Sequence, residues 1–171
     1  TIPASAGGTG ATSFAPGKIG QVLSATKTDV FSTTSTSYTD ITGITINITP
    51  AATSSKVLVT FSVTASTDTA DRVFGFQLVR GSTAIGIGGS SGSRSVGTVA
   101  GAVETKNTKM NSYSMNFLDS PSSTSAVTYK LQTKAQTGGS NTVRINSNGG
   151  DQDGGYNFRT ISTITVMEVL A

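Results

Sequence analysis

The chain has 171 residues, and 29 Thr, 24 Ser and 20 Gly together fill 73 of its positions. Charged residues are 12% of the total and His, Cys and Trp are absent, which excludes a thiol nucleophile, an imidazole base, a Cys/His metal centre and a disulfide framework. Net charge is +3, but no more than two basic residues gather within a few positions, so the chain lacks the electrostatic footprint of a nucleic-acid-binding protein.

Residues 1–19, TIPASAGGTGATSFAPGKI, are small and polar with Gly and Pro punctuation and no alternation. They read as an arm or linker ahead of one domain spanning 20–171. Gln21 to Phe31 is the first predicted strand, followed by a polar turn at 32–37. Ile44, Ile46 and Ile48 then alternate with Thr45, Asn47 and Thr49, the period of a half-buried strand, and Pro50 ends it. Lys56 to Thr67 sets Val57, Val59, Phe61, Val63 and Ala65 against Thr60, Ser62 and Thr64. Val73 to Arg80 aligns Phe74, Phe76 and Leu78, and a turn at Gly81 and Ser82 leads into a short strand from Thr83 to Gly88.

Residues 88–94, GGSSGSR, form a loop, and Ser95 to Val103 is a weak strand of small residues. Met110 to Leu118 alternates Tyr113, Met115 and Phe117 with Ser112, Ser114 and Asn116, before a turn starting at Asp119. Val127, Tyr129 and Leu131 alternate with Thr128, Lys130 and Gln132 until Gly138 and Gly139 close the strand. Thr142 to Ser147 is short, and 148–156, NGGDQDGGY, is the second long loop. The chain ends with Arg159 to Leu170, where Ile164 and Val166 face one way and Met167 and Val169 the other. A strand apolar on both faces is central or interfacial.

These elements make about ten strands with turn chemistry between them. Val, Ile and Thr total 54 against 2 Glu and 5 Gln. β-branched residues suit a pleated sheet, and the good surface helix formers are scarce. The expectation is an all-β fold, an antiparallel β-sandwich of jelly-roll type. No segment approaches the ~18 consecutive apolar residues of a membrane helix, and membrane insertion is not expected. A first residue Thr1 in place of Met is what a processed product or an excerpt of a longer chain would show.

Each candidate site competes with a structural reading. Gly86-Ile87-Gly88-Gly89-Ser90-Ser91-Gly92 lacks the third Gly of a dinucleotide loop and the Gly-Lys-Ser/Thr of a P-loop, and no helix follows it. Asp151 and Asp153, with Asn148 and Asn157, supply part of the six to eight or so oxygens that Ca²⁺ takes. A third acidic position and a bidentate Glu are missing, so a solvated Asx/Gly turn is the favoured reading, with no metal and no cofactor expected. Asp68 and Asp71 form a polar turn with Arg72, and nothing marks them as an acid/base pair. Asn47-Ile48-Thr49 matches a glycosylation acceptor inside a predicted strand. Ser and Thr are abundant, but without His none is activated by the usual route; the chain is not expected to be an enzyme. Tyr113 and Tyr129 lie on apolar strand faces and read as core, whereas Tyr156 sits between Gly155 and Asn157 in a loop.

Gly7-Gly8-Thr9-Gly10-Ala11-Thr12 resembles a motif that recurs in bacteriophage tail fibres, where it links a repetitive shaft to a following domain. The run 17–59 is also similar to a β-rich domain of tail-fibre and virion proteins from marine and environmental phages. The resemblance is best over the arm and first three strands and weakens after Gly81; SFAPGKIG follows the motif here in place of an Ala-rich stretch. It implies a virion location and a homotrimeric fibre tip, in contact with other virion proteins, that binds a host-surface glycan or protein. A head fibre or capsid decoration protein is the alternative within that class. A bacterial carbohydrate-binding or adhesion module is the alternative outside it. The family motif is structural and carries no binding residues over. The loops point instead to Asp151, Asp153, Tyr156, Asn157 and Arg94 as ligand-binding candidates. The closing strand points to Ile161, Ile164, Val166, Met167 and Val169 as either inter-sheet core or oligomer interface.

Overall fold

The computed structural model describes residues 18–103, 109–136, 141–155 and 157–170. Among them lie eleven strands and no helix: β1 (Ile19–Lys27), β2 (Phe31–Thr33), β3 (Thr39–Ile48), β4 (Lys56–Thr67), β5 (Arg72–Arg80), β6 (Thr83–Ile85), β7 (Val99–Val103), β8 (Asn111–Asp119), β9 (Val127–Ala135), β10 (Val143–Ile145) and β11 (Ser162–Val169). All pairings are antiparallel, in one six-stranded and one five-stranded sheet. The sandwich starts slightly before the expected boundary at residue 20: β1 opens at Ile19, and the carbonyl of Lys18 accepts the Leu170 N–H at 2.8 Å.

The strand count hides a simpler arrangement. β11 runs beside Lys56–Ser62 of β4 and β10 beside Ala65–Thr67, so the two fill one sheet position end to end. β1 pairs β11 and β2 pairs β10, filling the next position in the same way. In the other sheet, β7 and β6 lie in succession along one edge of β5, opposite β9. Each sheet is therefore four positions wide. Numbered in chain order, the eight positions run 1-8-3-6 in one sheet and 2-7-4-5 in the other.

Side chains follow from the period of two. Val57, Val59, Phe61, Val63 and Ala65 of β4 are buried, as are Phe74, Phe76 and Leu78 of β5, and they meet between the sheets. Tyr129 is fully buried, and Tyr113 joins the core edge-on to Phe74 at 5.3 Å between ring centroids. Tyr113 reaches from β8 over Gly101 of β7, where an added Cβ would lie 2.3 Å from the ring. Only glycine lets the two sheets close there.

Two polar clusters lock the sandwich. Arg80 of β5 donates to both carboxylate oxygens of buried Asp119 at 2.9 and 3.0 Å, and the Tyr129 hydroxyl donates to the same carboxylate at 2.6 Å. That cluster joins the end of β8 to β5 and β9 across the sandwich. Burial, reinforced by the Asp119 hydrogen bond, pushes the Tyr129 phenol well above its ordinary pKa, so it remains a donor. In the second cluster, buried Glu168 accepts the Ala51 N–H at 2.6 Å and Gln21 Nε2 at 2.9 Å. The Gln21 bond, helped by the Ala51 N–H, holds the Glu168 carboxyl below its usual range despite its burial.

The C-terminal strand β11 is central, between β1 and β4. Ile164 and Val166 are fully buried in the chain's own core, so these two are removed from the proposed oligomer surface. Met167 and Val169 are half-buried on the outer face, and Ile161 is exposed just before the strand. Met167 lies in register between Val22 of β1 and Leu58 of β4, and Leu58 faces Leu118 of β8. One apolar row thus crosses the outside of the six-stranded sheet.

Candidate functional site

Two long loops carry the ligand candidates, and they differ in how their polar groups are used. The first leaves β6 at Gly86, whose φ of 58° is in the left-handed region that favours glycine. The expected strand to Gly88 stops at Ile85, and the expected strand from Ser95 starts only at Val99. Thr98 explains both limits. Its N–H donates to the Phe76 carbonyl at 2.7 Å, and its hydroxyl accepts the Leu78 N–H and donates to the Ile85 carbonyl. It stitches the gap between β6 and β7 onto β5, while Gly88 N–H to Gly97 C=O, at 3.1 Å, draws the ends of the loop together.

This loop and the outside of β5 and β9 enclose a cavity of about 460 Å³. Val73, Gly75 and Ala100 form part of its floor, Tyr38 a wall, and Arg94, Lys134 and Gln136 contribute polar groups. Lys134 pairs with Gly75 across the sheet, and Gly75 pairs with Ala100, which places these residues in one row. The Tyr38 hydroxyl donates to the Val96 carbonyl at 2.7 Å and rests over Gly75, where a Cβ would lie 2.9 Å from its oxygen. Partial burial raises the Tyr38 pKa, so the phenol stays neutral. Lys134 Nζ donates to Ser95 Oγ at 2.9 Å and stands 5.1 Å above the Tyr38 ring, within cation–π range. Arg94 is exposed, with Nη1 2.9 Å from Ser91 Oγ. Among the described residues, no carboxylate lines the cavity.

The second loop, 147–159, borders a smaller cavity of about 240 Å³. Asp151, at φ 44°, accepts Ser147 Oγ at 2.5 Å and pairs with Arg159 at 2.9 Å. Asn148 Nδ2 donates to Asn157 Oδ1, and Asn157 Nδ2 donates to the Gln152 carbonyl at 2.8 Å. Arg144 Nε donates to the Gly149 carbonyl at 2.8 Å. Most of the side chains here that resembled ligand donors hold the loop itself.

Of the five ligand candidates, Asp151 and Asn157 are engaged inside this loop, Asp153 is exposed on it, and Tyr156 lies outside the described residues. Arg94 lines the other cavity, so the five do not form one site. Among the described residues, no group of three or more acidic side chains is gathered as for a metal ion. Sequence reasoning missed Tyr38, Lys134 and Gln136. Lys134 sits on the polar face of a readable strand, but its pairing with Gly75 depends on a register that no local pattern reveals.

No family model matches the chain, and no curated protein matches it. Among solved structures, it is similar to the D431N mutant VP2 protein of infectious bursal disease virus in T=1 particles, with a TM-score of 0.46 and 17% identity over 94% of this chain and 38% of that one. It is likewise similar to the structure of the Gx strain of that virus, with a TM-score of 0.43 and 16% identity over 94% of this chain and 44% of the other. The chain thus spans less than half the length of these proteins. Likeness of this order carries no functional assignment.

Proposed function

We propose that the chain is a non-enzymatic phage virion structural protein, a distal tail-fibre domain that presents its loop-covered cavity to a host-surface glycan or protein. The observation that carries the reading is the strand order, 1-8-3-6 facing 2-7-4-5, which we read as the two interlocked Greek keys of a jelly roll. That architecture serves viral capsid and lectin domains. Fold alone does not fix function; the resemblance of GGTGAT and the following run to tail-fibre sequences narrows the choice. The absence of His and Cys, and the engagement of Asp119, Asp151 and Glu168 in structural contacts, support a non-catalytic role.

The fibre reading requires self-association. Met167, with Val22, Leu58 and Leu118 in register beside it, and Val169, paired with Ile19, are the apolar side chains on the outer face that favour contact between copies. Light scattering on the purified chain tests this. Three copies per particle at micromolar concentration are expected, and Leu118→Glu should shift the population toward monomer. A parent protein that is monomeric under these conditions would overturn the fibre-tip reading in favour of an adhesion module.

A further inference from the structure

We infer that the cavity over β5 and β9 binds a carboxylate-bearing saccharide of two to three sugar units, which deepens the recognition reading above and rests on it for its setting. The cavity, about 460 Å³, falls in the size range of small-ligand pockets. Its floor is apolar, from Val73, Ala100 and the Gly75 backbone, and suits the C–H face of a pyranose ring. Tyr38 forms a fixed wall because its hydroxyl is tied to the Val96 carbonyl.

The charge on the cavity is one-sided. On this same face, Lys130 is neutralised by Asp40 at 2.8 Å, and Gln132 donates to that carboxylate as well. Lys134 and Arg94 differ: among the described residues their hydrogen-bond partners are the hydroxyls of Ser95 and Ser91, and neither forms an ion pair. Two cations beside an apolar floor, with no acidic residue among the described residues of the lining, leave an anion-shaped gap in the local charge balance. The Arg94 guanidinium offers the planar fork that matches a carboxylate. Gly88 and Gly89 bring bare backbone to the rim, where sugar hydroxyls find hydrogen-bonding groups. A free phosphate would satisfy the cations but leave the apolar floor uncovered. A neutral sugar would do the reverse.

The test is a backbone-amide NMR titration of the full chain with trigalacturonate, its methyl ester, sodium phosphate and triglutamate. Trigalacturonate should move the amides of Gly75, Gly88, Gly89 and Gly97. The methyl ester should bind at least tenfold more weakly, a difference of about 1.4 kcal/mol. Arg94→Ala and Lys134→Ala should each weaken binding severalfold while leaving the rest of the spectrum in place. The inference is overturned if ester and acid bind equally, if neither substitution changes affinity, if triglutamate or phosphate binds as tightly, or if millimolar trigalacturonate moves none of these amides. Failure of the titration with a trimeric protein removes this inference alone. A monomer that binds trigalacturonate keeps the cavity and removes the fibre reading.

Discussion

The loops 86–98 and 147–159 are alike in composition and opposite in behaviour. Both are rich in Gly and Ser or Asn, and both border a cavity. In 147–159, Asn148, Asp151, Asn157 and Arg159 satisfy one another, closing the loop on itself. In 86–98 the backbone and the Thr98 hydroxyl do the closing, helped by the Gly88–Gly97 hydrogen bond, and Arg94 and Lys134 beside it hydrogen-bond only to serine hydroxyls, with no ion pair among the described residues. Polar residues in a loop therefore mark a binding site only when something else holds the loop. Hydrogen bonding is worth most where leaving it unmade would strand a buried group.

That contrast predicts a ranking of effects, largest where polar groups are buried and engaged. Asp119→Ala removes the acceptor of Arg80 and Tyr129 and should destabilise the fold by about 3 kcal/mol, the low end for a broken buried pair because Arg80 is partly exposed. Chemical denaturation measures it; a loss below about 1 kcal/mol would show that the cluster does not join the sheets.

Next comes the acid limb of stability. The folded pKa of Glu168 lies below its unfolded value, so its contribution is fully present above about pH 4.3 and is lost as pH falls through the lower folded value. Asp29 and Asp40, lowered chiefly by hydrogen bonds from Lys27 and Lys130, act in the same direction. The melting temperature should hold steady from neutral pH to about 5 and fall below about 4. Both Glu168 oxygens accept donors, so Glu168→Gln sets an amide NH₂ against one of them. It should cost about 1 kcal/mol or more at neutral pH and flatten the acid fall. An unchanged pH profile would place the sensitivity elsewhere.

The smallest pair compares the loops directly. Asp151→Ala should cost about 1 kcal/mol through the loss of Ser147 and Arg159. Arg94→Ala should stay within about 0.5 kcal/mol of the parent because its side chain is exposed. Equal costs would erase the distinction between a closed loop and an open one.

Alternation made β3, β4, β5, β8 and β9 legible in the sequence, because one face of each is buried against the other sheet. The break between β1 and β2 was not legible. Asn146 Nδ2 holds that bend by donating to the carbonyls of Lys27 and Asp29 at 2.9 and 3.1 Å, from more than a hundred residues along the chain. The doubly apolar closing strand signalled a central position, which β11 occupies, but its inner and outer faces have separate roles that pattern alone did not divide. The site was half visible. Arg94 stood out as a cation in a loop, whereas Tyr38 and Lys134 meet only through the registers of β9 with β3 and β5.

The hydrogen bond between Gly88 and Gly97 has a consequence for descent as well as for shape. A loop whose two ends are joined at its base can change length and sequence between them with little demand on the strands beneath. Lys134, Tyr38 and Gly75 belong to the permanent sheet or its border, while Arg94 rides on the exchangeable insert. Related chains should therefore diverge fastest at 89–96, altering which ligand is preferred while inheriting the same floor. The fold would act as a socket, and the loop as the part that lineages replace.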